Sequence, residues 1–310
     1  MMQVFHSIHE VPADFGATVA SVGNFDGMHR AHQNVVAAVL ERARDLRARS
    51  LIVTFDPHPT RVLRPEKAPK LITPLAKKLG LLASAAVDAA LVIPFTREFS
   101  KTTPKEFAGL LGNRLHAKEV HEGFNFHFGH KAEGNLEKLT QLGKEAGFTV
   151  VSYPEMRLRG NSVSSSRIRE LVSAGDVSMA RALLGRTFSI AAHPAKGRGY
   201  GKQYTVPTIN LSAYDELVPG NGVYITRTRV GDKTFDSVTN IGNRPTFGTD
   251  SFAIESHLLD FVPFELNEGT GIETCFLYRL RDEMKFPSVE HLRAQIGKDV
   301  ALAQRYFRLL

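Results

Sequence analysis

The sequence predicts two modules in tandem: an α/β unit built on a parallel sheet, then an antiparallel β-barrel closed by a helix. Three observations predict this. Through the first half, short apolar runs alternate with segments of helical periodicity. Past about residue 185 the helices give way to successive strand-like runs joined by Gly/Pro/Asn/Asp turns. At the end, residues 289–308 return to helical spacing, with Leu292, Ile296, Val300 and Ala303 in step. A chain of 310 residues suits two domains at roughly 150 residues each, and the change of rhythm divides it into 1–185 and 186–310.

In the first module, apolar runs at 18–22, 51–55, 89–95, 118–122 and 148–153 read as strands. Between them, residues 32–48 place Val36, Val39, Leu40 and Ala43 at helical spacing. Residues 104–115 open with Thr103-Pro104-Lys105-Glu106, a capping box with proline at the first helical position. Strands alternating with helices imply right-handed crossovers and helices on both faces, with ligands at the carboxyl ends of the strands. Two short helices, 166–173 and 177–184, end at Gly185. In the second module, strands are expected at 187–192, 222–230, 234–241, 253–261 and 271–280, with a turn at Val230-Gly231-Asp232-Lys233.

Composition narrows the functional classes. The single cysteine, Cys275, excludes an intramolecular disulfide, and no Cys/His cluster has zinc-site spacing. A reducing, cytoplasmic setting is expected. The N-terminus lacks a basic stretch leading into an apolar one, so no secretory signal is read. The most apolar stretch, 80–95, is too short to span a bilayer and carries Asp88. A net charge of +7 suits polyanionic ligands. The basic residues are spread rather than clustered, which argues against a nucleic-acid groove. Weak self-association stays open.

Val22-Gly23-Asn24-Phe25-Asp26-Gly27-Met28-His29-Arg30-Ala31-His32 joins the first of these strands to the first long helix. A helix N-terminus offers free N–H groups and a positive dipole end, which suit phosphate. His29 and His32, three residues apart, can face one ligand. Two incidental polar residues at a helix start, or a metal site completed by Asp26, are the alternatives. Ser164, Ser165 and Ser166 precede Arg167 where a helix begins, and from these residues alone helix capping is favoured over phosphate binding. His58, between two prolines, fits either a nucleotide contact or a rigid turn.

In the second module, 196–202 is a Gly/Lys/Arg loop without P-loop spacing. Thr208 and Asn210, two residues apart in an extended segment, share a face and offer the hard oxygens that Mg²⁺ takes, although a turn is the favoured reading from the residues alone.

Taken together, these segments resemble a known family. Gly23 to His32 resembles the HxGH-type signature of the flavin adenylyltransferases of the nucleotidyltransferase superfamily, with Ala31 where that family has glycine. Thr54-Phe55-Asp56-Pro57-His58-Pro59, Glu122-Gly123-Phe124-Asn125-Phe126-His127-Phe128-Gly129 and Val163-Ser164-Ser165-Ser166-Arg167-Ile168-Arg169 follow in the family's order. Pro207-Thr208-Ile209-Asn210 is similar to the PTAN motif of riboflavin kinases. Asn240-Ile241-Gly242-Asn243-Arg244-Pro245-Thr246-Phe247 and Glu255-Ser256-His257-Leu258-Leu259-Asp260-Phe261 are similar to two further segments of those kinases. Thr205-Val206 stands where they have Gly-Phe, and Asn267-Glu268-Gly269 lies near their Tyr-Gly.

The resemblance covers nearly the whole chain and is to the bacterial bifunctional riboflavin kinase/FAD synthetase family. It implies a Rossmann-like nucleotidyltransferase domain followed by a riboflavin kinase barrel. The substrates implied are riboflavin, FMN and ATP with Mg²⁺, and the product is FAD. It implies that His29 and His32 stabilise adenylyl transfer, that Gly23, Phe25, Asp26, Ser165, Ser166 and Arg167 bind the nucleotide, and that Asn125 faces the flavin. On the same grounds Thr208 and Asn210 hold MgATP, and Glu255 activates the 5′-hydroxyl of riboflavin. A monofunctional adenylyltransferase with a flavin-binding barrel, and a non-catalytic flavin-sensing or RNA-binding protein, are the competing classes.

Overall fold

Val19, Ala20, Val22, Leu51, Ile52 and Val53 leave their strands no polar face, and all six are buried. Strands apolar on both sides need cover on both sides, as the centre of a parallel sheet has it. The computed structural model, which describes residues 2–195, 208–244, 251–261 and 267–309, shows that arrangement. The residues gather into two compact units, Met1–Ser165 and Ser166–Leu310.

In the first unit, β1 (Gln3–Phe5), β2 (Thr18–Val22), β3 (Arg49–Asp56), β4 (Ala89–Pro94), β5 (Ala117–Gly123) and β6 (Thr149–Tyr153) form one parallel sheet of order β1-β4-β3-β2-β5-β6. Helix α1 (Arg30–Asp45), the short α2 (Pro59–Leu63), α3 (Leu75–Ser84), α4 (Pro104–Gly109) and α5 (Leu136–Ala146) connect the strands. Val35, Val36, Val39 and Ala43 of α1 and Leu82 of α3 pack on one face, against Val19, Ile52 and Ala90. Phe107 of α4 and Leu139 and Leu142 of α5 cover the other face, against Val22, Leu51, Leu91 and Val120. The chain runs outward from β2 through β3 to β4, then returns to β5 on the other side of β2. That reversal opens a crevice at the carboxyl ends of β2 and β5, where open α/β sheets bind ligands.

The expected capping box is present: Glu106 N donates to Thr103 Oγ1 at 3.2 Å, and Thr103 N to Glu106 Oε2 at 2.8 Å. The helix expected over 104–115 is α4 followed by a wider π-type turn, Leu110–Arg114. The apolar stretch 80–95 divides between α3 and β4. Asp88 between them accepts from Ser50 N and Ser50 Oγ at 2.8 and 2.7 Å. Among the described residues no helix is long and apolar enough to cross a membrane. A short hairpin, β7 (Arg157–Leu158) and β8 (Asn161–Ser162), leads to α6 (Ser165–Ser173).

Beyond α6 and α7 (Val177–Leu184), the second unit is an antiparallel sheet. Its strands are β9 (Phe188–Ala192), β10 (Thr208–Asn210), β11 (Gly222–Val230), β12 (Lys233–Arg244), β13 (Ser251–Leu258) and β14 (Ile272–Arg281), in the order β10-β13-β12-β11-β14-β9. The two edges meet just past β9 and β10 through a bridge between Pro194 and Leu211, with Ala195 N donating to Asn210 O at 2.8 Å. The β11–β12 hairpin turns at the expected residues, with Gly231 left-handed at φ 57°.

One face of this sheet carries an unusual core. Thr226, Thr228, Ser237, Thr239, Ser256 and Thr274 are all fully buried. Their hydroxyls bond one another across four strands, with Thr226 2.8 Å from Ser237 and 2.7 Å from Thr239, and Thr239 2.8 Å from Ser256. Apolar side chains, Phe188, Phe276, Tyr224, Ile241 and Ile254, are buried around this belt.

On the other face lies α8 (Val289–Arg308), whose Ala303, Val300, Tyr306 and Phe307 pack with Val223, Ile225 and Val238. One buried ion pair pins it. Asp299 accepts from Arg281 Nε at 3.1 Å and from its terminal nitrogen at 2.8 Å, and from Gln295 Nε2 at 2.9 Å. Removing one partner leaves a charge buried without compensation. Asp299→Ala is therefore expected to destabilise the second unit by about 3–5 kcal/mol, read as an earlier unfolding transition in denaturant.

Candidate active sites

In the first unit the functional candidates cluster at the crevice. Gly23 N donates to Val53 O at 3.0 Å, so the backbone stays tied to β3 for one residue past β2. The chain then turns sharply, with Phe25, Gly27 and Met28 at φ 47°, 87° and 41°. Two non-glycine residues in the left-handed region within four positions mark a turn held by its surroundings. The holding contacts are clear. Asp26 Oδ1 accepts from Thr73 N at 2.9 Å and Oδ2 from Ile72 N at 3.1 Å. Asp26 O accepts from Ser165 Oγ at 2.8 Å, which ties that serine to the turn.

His29 is the N-cap of α1, accepting from His32 N on Nδ1 at 3.4 Å. The two imidazoles stack, with centroids 3.6 Å apart and planes 15° apart. Burial and the neighbouring His29 and Lys78 hold the His32 pKa well below the usual histidine range. His32 Nδ1 and Asn24 Oδ1 are buried polar atoms with no hydrogen-bond partner. Unpaired buried polar atoms are rare and costly. Two of them beside a strained turn, at the crevice of the sheet, suit a polar ligand.

Asn125 is exposed just beyond β5, in a turn where Phe126 N donates to Gly123 O at 3.0 Å. Phe124 beside it is 54 % exposed, an apolar ring open to a planar ligand. His58 caps α2, accepting from Thr60 N at 3.2 Å, which fits the turn reading of its stretch. Ser166 and Arg167 belong to the second unit, where Arg167 pairs with Glu170 at 2.8 Å.

Glu122, on β5, was not singled out for its chemistry in the sequence, where it reads as one residue of a strand. It is buried and accepts from Val22 N at 2.7 Å, where the pairing of β2 with β5 has already ended at Ala20. Burial pushes its carboxyl well above the usual carboxylate range. The native state then binds more protons than the unfolded chain between about pH 4.5 and the folded value, so stability falls as pH rises through that window. The slope approaches about 1.4 kcal/mol per pH unit. Glu122→Gln keeps the shape and the acceptor without the ionisation. It is expected to leave stability unchanged near pH 4 and to raise it as the pH climbs above about 4.5, as read by denaturant unfolding of both proteins at each pH.

In the second unit, β10 and β13 pair so that Asn210 lies opposite Glu255 and Thr208 opposite His257. On the far side of β13, Asn240 of β12 also lies opposite Glu255. Directly opposite residues share a face with Cβ atoms about 4.5–5.5 Å apart. A carboxylate thus stands in a row between two amides, with a hydroxyl and an imidazole in the next row. Burial lowers the pKa of His257. Hydroxyl and amide oxygens on one face are the hard donors a phosphate-bound Mg²⁺ takes, so Thr208 and Asn210 fit that ion. Among the described residues no group of three His, Cys, Asp or Glu is placed to hold a metal, including the trio His29, His32 and Asp26. Asn267 and Gly269 form a tight turn, Gly269 N donating to Asn267 Oδ1 at 3.0 Å. The 196–202 loop, Thr205, Val206, Pro207 and the Pro245-Thr246-Phe247 part of the kinase-like segment lie outside the described residues.

Comparison with known proteins follows the same division. The FAD synthetase family model matches residues 11–167 and the riboflavin kinase model residues 184–307. The bifunctional riboflavin kinase/FMN adenylyltransferase of Pseudomonas fluorescens is 34 % identical, over 98 % of this chain and 97 % of its own. The chain belongs to that family. The Escherichia coli (strain K12) enzyme of the same name is 32 % identical, over 100 % of this chain and 98 % of its own. The bifunctional family's two-domain architecture is also seen in a solved structure, that of a Streptococcus pneumoniae protein named as a macrolide-efflux protein. It superposes with a TM-score of 0.87 over 98 % of each chain at 24 % identity, a likeness of fold.

Proposed function

We propose that this chain makes FAD from riboflavin in two steps: riboflavin + ATP → FMN + ADP, then FMN + ATP → FAD + pyrophosphate. The observation that carries the reading is that one chain matches both family models, each over its own stretch. A barrel that only binds flavin would leave the Asn210–Glu255–Asn240 row without work. We assign adenylyl transfer to residues 1–185 and phosphorylation to residues 186–310.

For adenylyl transfer, the phosphate of FMN attacks the α-phosphorus of ATP in line, and His29 and His32 donate hydrogen bonds to the charge that develops there. Their stacking supports this role, because it sets the two imidazoles side by side where both can meet one ligand. Gly23, Phe25 and Asp26 shape the nucleotide cradle, Ser165, Ser166 and Arg167 bind the phosphates, and Asn125 faces the flavin. Asp26 acts through its backbone and the loop it holds, since both carboxylate oxygens already accept N–H groups.

For phosphorylation, Glu255 takes the proton of the riboflavin 5′-hydroxyl as it attacks the γ-phosphorus. Thr208 and Asn210 hold Mg²⁺ with ATP, and the ion neutralises phosphate charge when bound. The register that sets Asn210 beside Glu255 supports a base next to the phosphates.

The test is product analysis by liquid chromatography, with riboflavin plus MgATP in one reaction and FMN plus MgATP in another. FMN and FAD are expected from the first and FAD from the second. FAD from FMN alone removes the kinase assignment, and no product from either removes both.

A further inference from the structure

The adenylyl-transfer reading names no residue of α3, yet one side chain of that helix reaches the same crevice. Lys78 is buried to 7 % exposure. Its ammonium donates to Thr54 Oγ1 at 3.1 Å, and among the described residues it makes no other hydrogen bond and no ion pair. Thr54 Oγ1 in turn donates to Asn24 O at 3.3 Å, in the turn that leads to His29. Asp26, Asp56 and His32 are the titratable groups that interact with it, and Asp26 has both oxygens engaged by backbone N–H groups. An ammonium has three donors. Burying one with a single neutral acceptor is costly and leaves two donors over. Through Thr54 the ammonium is tied to the turn where Asn24 Oδ1 lacks a partner, and its charge is felt at His32, whose Nδ1 lacks one too. A group carrying several negative oxygens would satisfy the charge and the donors together.

We propose that Lys78 is a phosphate ligand of the adenylyl-transfer site, its ammonium taking the oxyanions of the ATP triphosphate and of the pyrophosphate released. The proposal rests on the adenylyl-transfer reading above. It differs from a purely structural role, in which Lys78 steadies the Asn24 turn through Thr54 alone.

The test uses the full chain and both directions of the reaction, FMN + ATP and FAD + pyrophosphate. Lys78→Met is expected to lower kcat/KM for ATP by about 10²–10³ and to raise the KM for pyrophosphate by a similar factor. Riboflavin phosphorylation by the same preparation stays within about twofold and reports that the protein is intact. Thr54→Val, which removes only the relay hydroxyl, loses less than tenfold. Lys78→Arg, which keeps the charge, recovers at least tenfold of the loss. Should Lys78→Met unfold the first unit, Lys78→Arg decides: a pyrophosphate KM within tenfold of wild type supports the proposal, and a folded variant without that affinity overturns it. An unchanged kcat/KM for ATP together with an unchanged KM for pyrophosphate in folded Lys78→Met overturns it, as do equal losses in Lys78→Met and Thr54→Val. Wild-type protein that makes no FAD from FMN would instead bring down the reading on which the proposal stands.

Discussion

Protein carrying His29→Ala and His32→Ala together is expected to form FAD from FMN at least about 10³-fold more slowly than wild type, while riboflavin phosphorylation proceeds at its normal rate. A single preorganised donor aimed at developing charge is worth about 10²–10³ in rate. Two that act on one transition state do not add fully. The single variants should therefore each lose most of what the double variant loses. The stacking of the rings at 3.6 Å strengthens this expectation, because removing either changes the setting of the other. His29 also caps α1, so its loss costs some stability. A melting curve and the kinase rate, measured on the same sample, separate that loss from a loss of catalysis. Adenylyl transfer retained within tenfold by the double variant would count against the assigned role.

Glu255→Gln should abolish most FMN formation, by about 10²–10⁴, and leave FAD formation from added FMN untouched. Glutamine keeps the size and the hydrogen-bonding reach of the side chain in the row with Asn210 and Asn240, and removes only the ability to take a proton. A drop in kcat with the KM for riboflavin little changed is the signature of a lost base. A raised KM with kcat intact would make Glu255 a binding residue. Measured on one preparation, the two variants give opposite patterns: one blocks the second reaction, the other the first.

The sequence was legible where a single local cause decides the structure. Thr18–Val22 is a strand as expected because Val19, Ala20 and Val22 place apolar side chains on both of its faces. The Thr103–Glu106 box starts a helix because its bonds are local. Helix α3 was not read. Its leucines merge with the apolar run that continues into β4, and its N-cap, Pro74, has no side-chain acceptor to announce a start. Helix α5 was passed over as well, although Asn135 caps it. The edge strand β1 is three residues long, too short for a period to emerge. At the candidate sites, the histidine pair and Glu255 were singled out through their neighbours in sequence. Lys78 was not, because a lysine in a helix ordinarily marks a solvated face, and only the packing of α3 over β3 reveals that this one is covered. The placing of Asn240 beside Glu255 depends on register between strands, which no local pattern fixes.

The hydroxyl belt of the barrel also bears on how such a protein changes over generations. Each of its six members has at least one other member as partner, so a lone Thr226→Val strips bonds from both Ser237 and Thr239. A single loss of this kind costs the full desolvation of the groups left behind, whereas replacing partners together is nearly neutral. The belt therefore behaves as a ratchet. Every one-residue path toward an ordinary hydrocarbon core begins downhill in fitness, although the destination itself is no worse. Lineages that inherit the six hydroxyls are expected to keep all of them or to lose several at once.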